Sequence, residues 1–309
     1  MKAKQWIEKN SFIWPLVGTI ILWIMVVAVS GRFSVSQLFS CATLASFSLM
    51  LGLGQTIVIT SGEGAIDLSG TYVLTLAAYI SCTVMNQNIF LGILAAVAAG
   101  AVVGFINGVI NIYLKVPAMI TTLATGYIVF TIVLIAAPHM NTLPNSTFVK
   151  FINTNFGGLT VMTLICLAVS ALLAVLLYKT KFGKNLHAVG QKREAAKYAG
   201  ISVPATVIAT FTLAGAIAGF AGVLCGAYIG GAFQDMGTSY FLPAVAAALV
   251  GGTLASGGRS SVLGVVFGAL MMSFMTTFLN AANLAPGLQR LIQGAVLVLI
   301  LVASVSKKD

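Results

Sequence analysis

The sequence predicts an all-α, polytopic membrane protein, and three observations carry that prediction. Of 309 residues, 59% are hydrophobic and only 7% are charged, whereas about a quarter of an average soluble domain is charged. The mean hydropathy is +1.04. The apolar residues also fall into runs close to the roughly 20 that a helix needs to cross a bilayer. Sixteen Lys and Arg with six Asp and Glu are too few to cover a water-soluble globule of this size. A soluble enzyme, a disordered chain and a disulfide scaffold are thereby excluded. Ten crossings would take about 200 residues, and no remaining connection is long enough to fold as a separate soluble unit. Residues 1–309 therefore read as a single transmembrane domain.

Hydropathy and Gly, Pro and charge punctuation give ten spans in order. The first, 12–30, follows Lys2, Lys4 and Lys9. Ala28-Val29-Ser30 has a cleavage-like spacing of small residues, but the run is longer than a signal-peptide core, so a retained span is expected. Next come 38–60 and 69–85, separated by the Gly-rich break SGEGAIDLSG. Span 89–113 carries Gly92, Ala96, Gly100, Gly104 and Gly108, a small residue at every fourth position. Spans 117–137 and 160–178 flank the polar, Asn-rich segment 138–159. Span 204–228 carries Ala214, Ala218, Gly222 and Gly226, with Gly215 and Gly219 beside them. The last three are 241–255, 261–280 (with Gly264 and Gly268) and 288–305, the first two separated by Gly and Ser. Such small-residue stripes let helix backbones approach closely, so these glycines argue for a tight bundle rather than a pore. Cys41, Cys82, Cys166 and Cys225 each stand alone in an apolar run and read as buried small hydrophobes.

Loop charges orient the spans. With the N-terminus in the cytoplasm, thirteen cations lie inside, including Lys115, Lys179, Lys181, Lys184, Lys192, Arg193, Lys197 and Arg259; three lie outside, Arg32, Lys150 and Arg290. That bias predicts cytoplasmic N- and C-termini and, with both on one side, an even number of spans. The net charge of +10 is thus spread as topology marking. It is not clustered on a hydrated face as nucleic-acid binding requires, so no nucleic-acid partner is expected.

Little of the chain suits chemistry. His139 and His187 fall on opposite sides of the predicted membrane, and Glu8, Glu194, Asp235 and Asp309 are scattered near loops. No metal or catalytic cluster is expected. The exception is the break, where Glu63 and Asp67 stand four apart among Gly62, Gly64 and Gly70. Two readings remain: a short inner loop with solvated carboxylates, or a buried re-entrant break lining a path, with Asp67 hydrogen-bonding at a helix start beside Ser69. Gln55, Thr56, Asn107, Asn111, Thr121, Thr122, Thr125, Gln289 and Gln293 are neutral polar groups within or bordering spans. They suit a hydroxylated cargo, and equally suit gluing helices together. In the inner loop 179–203, QKREAAKYA forms about two helical turns, with Gly200 as the stop and Pro204 beyond. Small on one side and basic on the other, it reads as a docking element.

Four segments carry a family resemblance. GEGAIDLSG, NGVINIYLKVPAMITTLAT (107–125), FGKNLHAVGQKREAAKYAGI (182–201) and LPAVAAALVGGTLASGGRSSVLG (242–264) resemble, in that order, elements of the permease subunit of bacterial ABC importers for simple sugars, the ribose-type branch. The resemblance covers roughly residues 40–300. It implies the ABC importer permease fold in the bacterial inner membrane and a pathway formed by two permease chains, as a homo- or heterodimer in membrane lipid. It implies cytoplasmic ATP-binding cassette subunits on the 182–201 loop and an extracytoplasmic solute-binding protein. The chain itself would bind no cofactor and would not be an enzyme. The loop resemblance points to Gly183, Ala188, Gly190, Glu194, Ala195, Ala196 and Gly200 at the ATPase interface. Asp67, Ser69, Asn107 and Thr121 are candidates for the translocation pathway. Three departures stand out. Ser69 meets Gly70 directly where the family usually inserts Val, Glu63 stands where Gly is usual, and Arg259-Ser260 replaces a Gly-bearing triplet. The residues alone leave as rivals an ABC importer for a non-sugar solute, an ion-coupled secondary transporter and a channel.

Overall fold

The computed structural model describes residues 12–31 and 34–305, and the described chain is mostly helical. Lys2, Lys4, Lys9, Arg32, Lys307 and Lys308, used above for orientation, lie outside the described residues. The helices are α1 (Ile13–Ser30), α2 (Val35–Thr60), α3 (Gly70–Met85), α4 (Ile89–Tyr113), α5 (Ala118–Ala136), α6 (Ser146–Asn153), α7 (Val161–Lys179), α8 (Lys181–Gln191), α9 (Arg193–Tyr198), α10 (Val203–Ile229), α11 (Phe241–Val250), α12 (Val262–Ala281) and α13 (Pro286–Val305). Among the described residues six are long and apolar enough to cross a membrane: α2, α4, α5 with its 3-10 extension to His139, α7, α10 and α12. Helices α1 and α3 and the segment ending in α11 are shorter and apolar.

Helix α2 is the hub. Its 26 residues span about 39 Å at 1.5 Å per residue, and every residue from Ala45 to Thr60 is buried. Helices α12, α11, α10 and α7 surround it. Beside it, α4, α10 and α3 mesh through the glycine stripes. A Cβ on Gly100 would strike the backbone of Gly215, one on Gly104 that of Phe211, and one on Gly219 that of Ala96; Gly222 lies equally close to Leu74 of α3. The stripes therefore pack helices, as the spacing predicts, because only hydrogen fits where two backbones touch. Helix α1 packs on α12, α5 on α3, and α13 on α11. All four cysteines are buried and unpaired with one another.

One expectation is corrected. The span drawn over 241–255 is helical only to Val250, because Gly252, Gly257 and Gly258 take φ of +94°, +89° and +75°. Ten residues make a helix of about 15 Å, half the hydrocarbon thickness. The rest of the traverse is irregular. Ala232 N donates to Thr142 O (2.9 Å) just after α10, and Gly258 N donates to Thr60 O (3.0 Å) at the end of α2. Between them the chain is helical only over Thr238–Tyr240 and α11. The polar segment 138–159 is also more ordered than an open loop. Asn145 accepts from Thr147 N and Phe148 N and starts α6, whose Phe148 and Ile152 reach the core. Asn155–Phe156 then pairs antiparallel with Leu159–Thr160 as β1 and β2, around Gly157 and Gly158 at positive φ.

Replacing Gly104 with Val should lower the thermal midpoint markedly or prevent accumulation in the membrane, because overpacking costs about 1–3 kcal/mol and the neighbour is backbone that cannot rotate away. Gly294→Ala, where nothing lies within 4 Å, should shift the midpoint negligibly. Fluorescence-detected thermal unfolding of both variants in detergent is the measurement.

Candidate functional site

The break between α2 and α3 separates the two carboxylates that its sequence leaves ambiguous. Asp67 is 4% exposed, whereas the Glu63 side chain is 60% exposed. From Gly62, beside the end of α8, the chain turns back into the bundle without helix. Where that stretch is buried, at Asp67 and Ser69, its backbone polar groups need partners within the bundle. Gln55 of α2 supplies two: its Nε2 donates to Asp67 O, and its Oε1 accepts from Asp67 N at 3.2 Å. Thr122 of α5 accepts from Leu68 N at 2.9 Å. Asp67 Oδ1 accepts from Ser69 N (2.8 Å) and Ser69 Oγ (2.6 Å), folding the carboxylate onto the start of α3. Asn107 Nδ2 donates to Ser69 Oγ (3.0 Å) and its Oδ1 accepts from Thr125 Oγ1 (2.6 Å). Helices α2, α4 and α5 thus hold the break through one buried chain of side chains.

Immediately beyond this chain lies an open cleft of about 370 Å³. The start of α3 lines one side with Leu68, Thr71 and Tyr72, and the approach to α11 lines the other with Thr238, Ser239, Phe241 and Leu242. Leu123 of α5 and Arg290 and Gln293 of α13 complete it. Tyr72 is stacked among Tyr127 (5.7 Å between ring centroids) and Phe130 (5.8 Å). Two helices therefore begin at one cleft whose polar groups are hydroxyls, one amide and one guanidinium, set among leucine and aromatic side chains. Such a surface hydrogen-bonds and stacks; it holds no general acid or base for covalent chemistry.

The inner-loop segment forms α8 and α9, with Thr180 accepting from Gly183 N at 3.4 Å and Gly200 at φ +79° after α9. Its glycines serve a backbone junction. A Cβ on Gly190 would strike Thr60 and Gly258, and one on Gly257 would strike Gly62. The end of α8 thus touches both the break and the 251–261 loop. His187 Nε2 lies 3.0 Å from Ser260 Oγ, and Tyr178 Oη donates to Ser260 O at 3.3 Å. Arg193 Nη1 meets Glu63 Oε2 at 2.8 Å. Burial lowers the Arg193 pKa and the Glu63 charge opposes that.

The structure gathers Asp67, Ser69 and Asn107 into the buried chain, with Thr121 one turn from Thr125, rather than on the cleft wall. Of the seven interface candidates, Glu194, Ala195 and Gly200 are exposed and Ala188 is half-buried. Gly183, Gly190 and Ala196 are buried against the chain's own elements, Gly183 beside Leu177. Sequence reasoning passed over Tyr198, 92% exposed on α9, although one aromatic amid small and charged residues was a usable signal. It also passed over Tyr72, Thr238 and Ser239, which carry no motif.

Comparisons with known proteins agree on one family. The model of the family described as "Branched-chain amino acid transport system / permease component" matches residues 37–301. The galactose/methyl galactoside import permease of Escherichia coli K12 is 34% identical, covering 86% of this chain and 85% of its own length. The ribose import permease of the same strain is 29% identical over 99% and 96%. The autoinducer 2 import permease of Salmonella paratyphi B is 27% identical over 82% and 78%. No solved structure matches.

Glu63 carries φ +56°, a left-handed conformation that costs a side-chain-bearing residue about 1–2 kcal/mol. Its exposed ion pair returns about 0–1 kcal/mol. Glu63→Gly should therefore be as stable as the parent or slightly more so, and Glu63→Ala, which keeps the strain and loses the pair, the least stable of the three. Denaturant melts monitored by tryptophan fluorescence rank them.

Proposed function

This chain belongs to the branched-chain amino acid transport system permease family, and from that premise we propose that it is the membrane-spanning subunit of an ATP-driven importer for a simple sugar. It is a transport component of the bacterial inner membrane and not an enzyme. The relatives named for galactose, ribose and autoinducer 2 import support a small hydroxylated cargo. The observation that carries the reading furthest is the shared cleft at the starts of α3 and α11. Thr71, Thr238, Ser239 and Gln293 offer neutral donors and acceptors for sugar hydroxyls, and Tyr72 offers a ring face. Broken helices are how transporters bring such groups to membrane depth.

The single domain over 1–309 crosses the membrane ten times with cytoplasmic termini, the traverse 231–258 counting as one crossing despite its half-length helix. The distribution of cations supports that orientation. A second permease chain, identical or related, covers the open side of the cleft, and an extracytoplasmic solute-binding protein delivers the sugar. The cytoplasmic ATP-binding cassette subunit docks on α8–α9. The exposed Glu194, Ala195 and Tyr198 make the contact, while Gly183, Gly190 and Ala196 keep the docking pair pressed on the bundle. Asp67, Ser69, Asn107 and Thr121 hold the pathway's shape from behind its wall.

Two substitutions separate these roles. Tyr72→Ala should cut uptake of labelled galactose or ribose at least tenfold while the ATPase still co-purifies stoichiometrically. Tyr198→Ala should do the reverse at the docking step, losing the ATPase and with it all uptake. Sugar uptake by the chain reconstituted alone, without an ATPase, overturns the reading.

A further inference from the structure

The two walls of the cleft are held in different ways. The α3 wall is pinned by directional bonds. Gln55 of α2 engages both backbone groups of Asp67, Thr122 of α5 holds Leu68, and Asn107 of α4 holds Ser69. The α11 wall has no such fixing. All ten of its residues, FLPAVAAALV, are apolar, so none of its side chains hydrogen-bonds to a neighbour. Burial seats such a helix without setting its position along its own axis, because the hydrophobic effect is non-directional. What sets that position lies at the inner end of α11.

There the chain folds into a compact turn. Gly257 N donates to Leu254 O (2.8 Å) and Leu254 N to Arg259 O (3.2 Å), so the turn is closed on itself although it is not helical. It lies along α8. A Cβ on Gly258 would strike Gln191, and Ser260 meets His187 one helical turn earlier. The imidazole is engaged on both sides. Gly183 O only accepts, so Nδ1, 2.6 Å from it, carries the proton; in the neutral ring Nε2 then accepts from Ser260 Oγ at 3.0 Å. Tyr178 Oη fixes the other end of the turn, donating to Ser260 O (3.3 Å) and accepting from Val262 N (3.0 Å) at the start of α12. A displacement of α8 therefore enters the turn at Ser260 and passes into α11, whose far end presents Phe241 and Leu242 to the cleft.

We propose that α11 is the moving wall of the cleft and that His187 is the positioning residue through which α8 moves it, by way of the Ser260 hydroxyl. This rests on the reading of α8–α9 as the ATPase dock. The cleft's polar groups lie at one end of this linkage and the exposed face of α9 at the other. Breaking the joint between them leaves sugar binding and ATPase docking in place and uncouples hydrolysis from transport.

The test reads ATP hydrolysed per labelled galactose or ribose transported, by the complete importer in proteoliposomes. Three variants are compared with the parent. His187→Asn keeps a bond to the carbonyl four residues back, as Asn86 and Asn153 make elsewhere in the chain, and gives up Ser260. His187→Gln places its amide nitrogen near the position of Nε2 and keeps Ser260 within reach. Ser260→Ala removes only the hydroxyl. His187→Asn and Ser260→Ala should raise the ratio about fivefold through a lower kcat of uptake, with the sugar KM and the ATPase rate within about twofold of the parent. His187→Gln should restore the parental ratio. A ratio unchanged in His187→Asn and Ser260→Ala, or raised equally by Asn and Gln, overturns the proposal while the ATPase still co-purifies. An ATPase that does not co-purify with the parent chain overturns the docking reading itself.

Discussion

The fold rests on satisfying backbone polar groups where no water can reach them. Helices do this within themselves, and the interest lies where helix stops. Asp67, Leu68 and Ser69 have lost their helical partners, and Gln55, Thr122 and the Asp67 carboxylate answer the N–H of all three and the carbonyl of Asp67. Gln55 is decisive because one amide side chain can answer both a carbonyl and an N–H of the same residue. Gln55 of α2, Asn107 of α4 and Thr122 and Thr125 of α5 together hold the break. The break in turn delivers the start of α3 to the cleft.

The same economy explains the glycines. Along α4 and α10 they bring two helices into backbone contact, and around Gly62, Gly190, Gly257 and Gly258 they do so among three non-consecutive segments. In the first case the contact is helix packing in lipid. In the second it joins the end of α8 to both irregular stretches, the one before α3 and the one after α11. His187 and Tyr178 meet at Ser260 and reinforce that joint.

Much of this was legible in the sequence, and the limits have physical causes. Long apolar runs, the small-residue stripes and the Gly-bounded inner loop follow from hydropathy and spacing, and α4, α10 and α9 lie where those signals put them. The half-length α11 was not legible, since Leu254 and Ala255 extend the apolar run past Gly251 and Gly252 whether or not the backbone coils. Nor was Asp67 separable from Glu63: four positions apart in one Gly-rich string, they differ only in which way the chain turns after Gly62. Ala196 read as an outward small face because its neighbours do face outward; a helix of six residues has too few positions for its pattern to say which side is inside.

The departures from the family pattern now have a local meaning. Ser260, standing where a Gly-bearing triplet is usual, supplies the hydroxyl that His187 meets. Glu63, standing where Gly is usual, accepts a left-handed φ and reaches Arg193, the first residue of α9. Glycine would take that turn without strain but would leave the Gly62–Gly190 contact without the ion pair beside it. The carboxylate adds a second joint at roughly no net cost, because ion pair and strain nearly cancel. What it changes is connectivity: the helix pair on the bundle's end and the break that opens on the cleft are tied by an ion pair as well as by backbone contact. The two together resist rotation as well as separation.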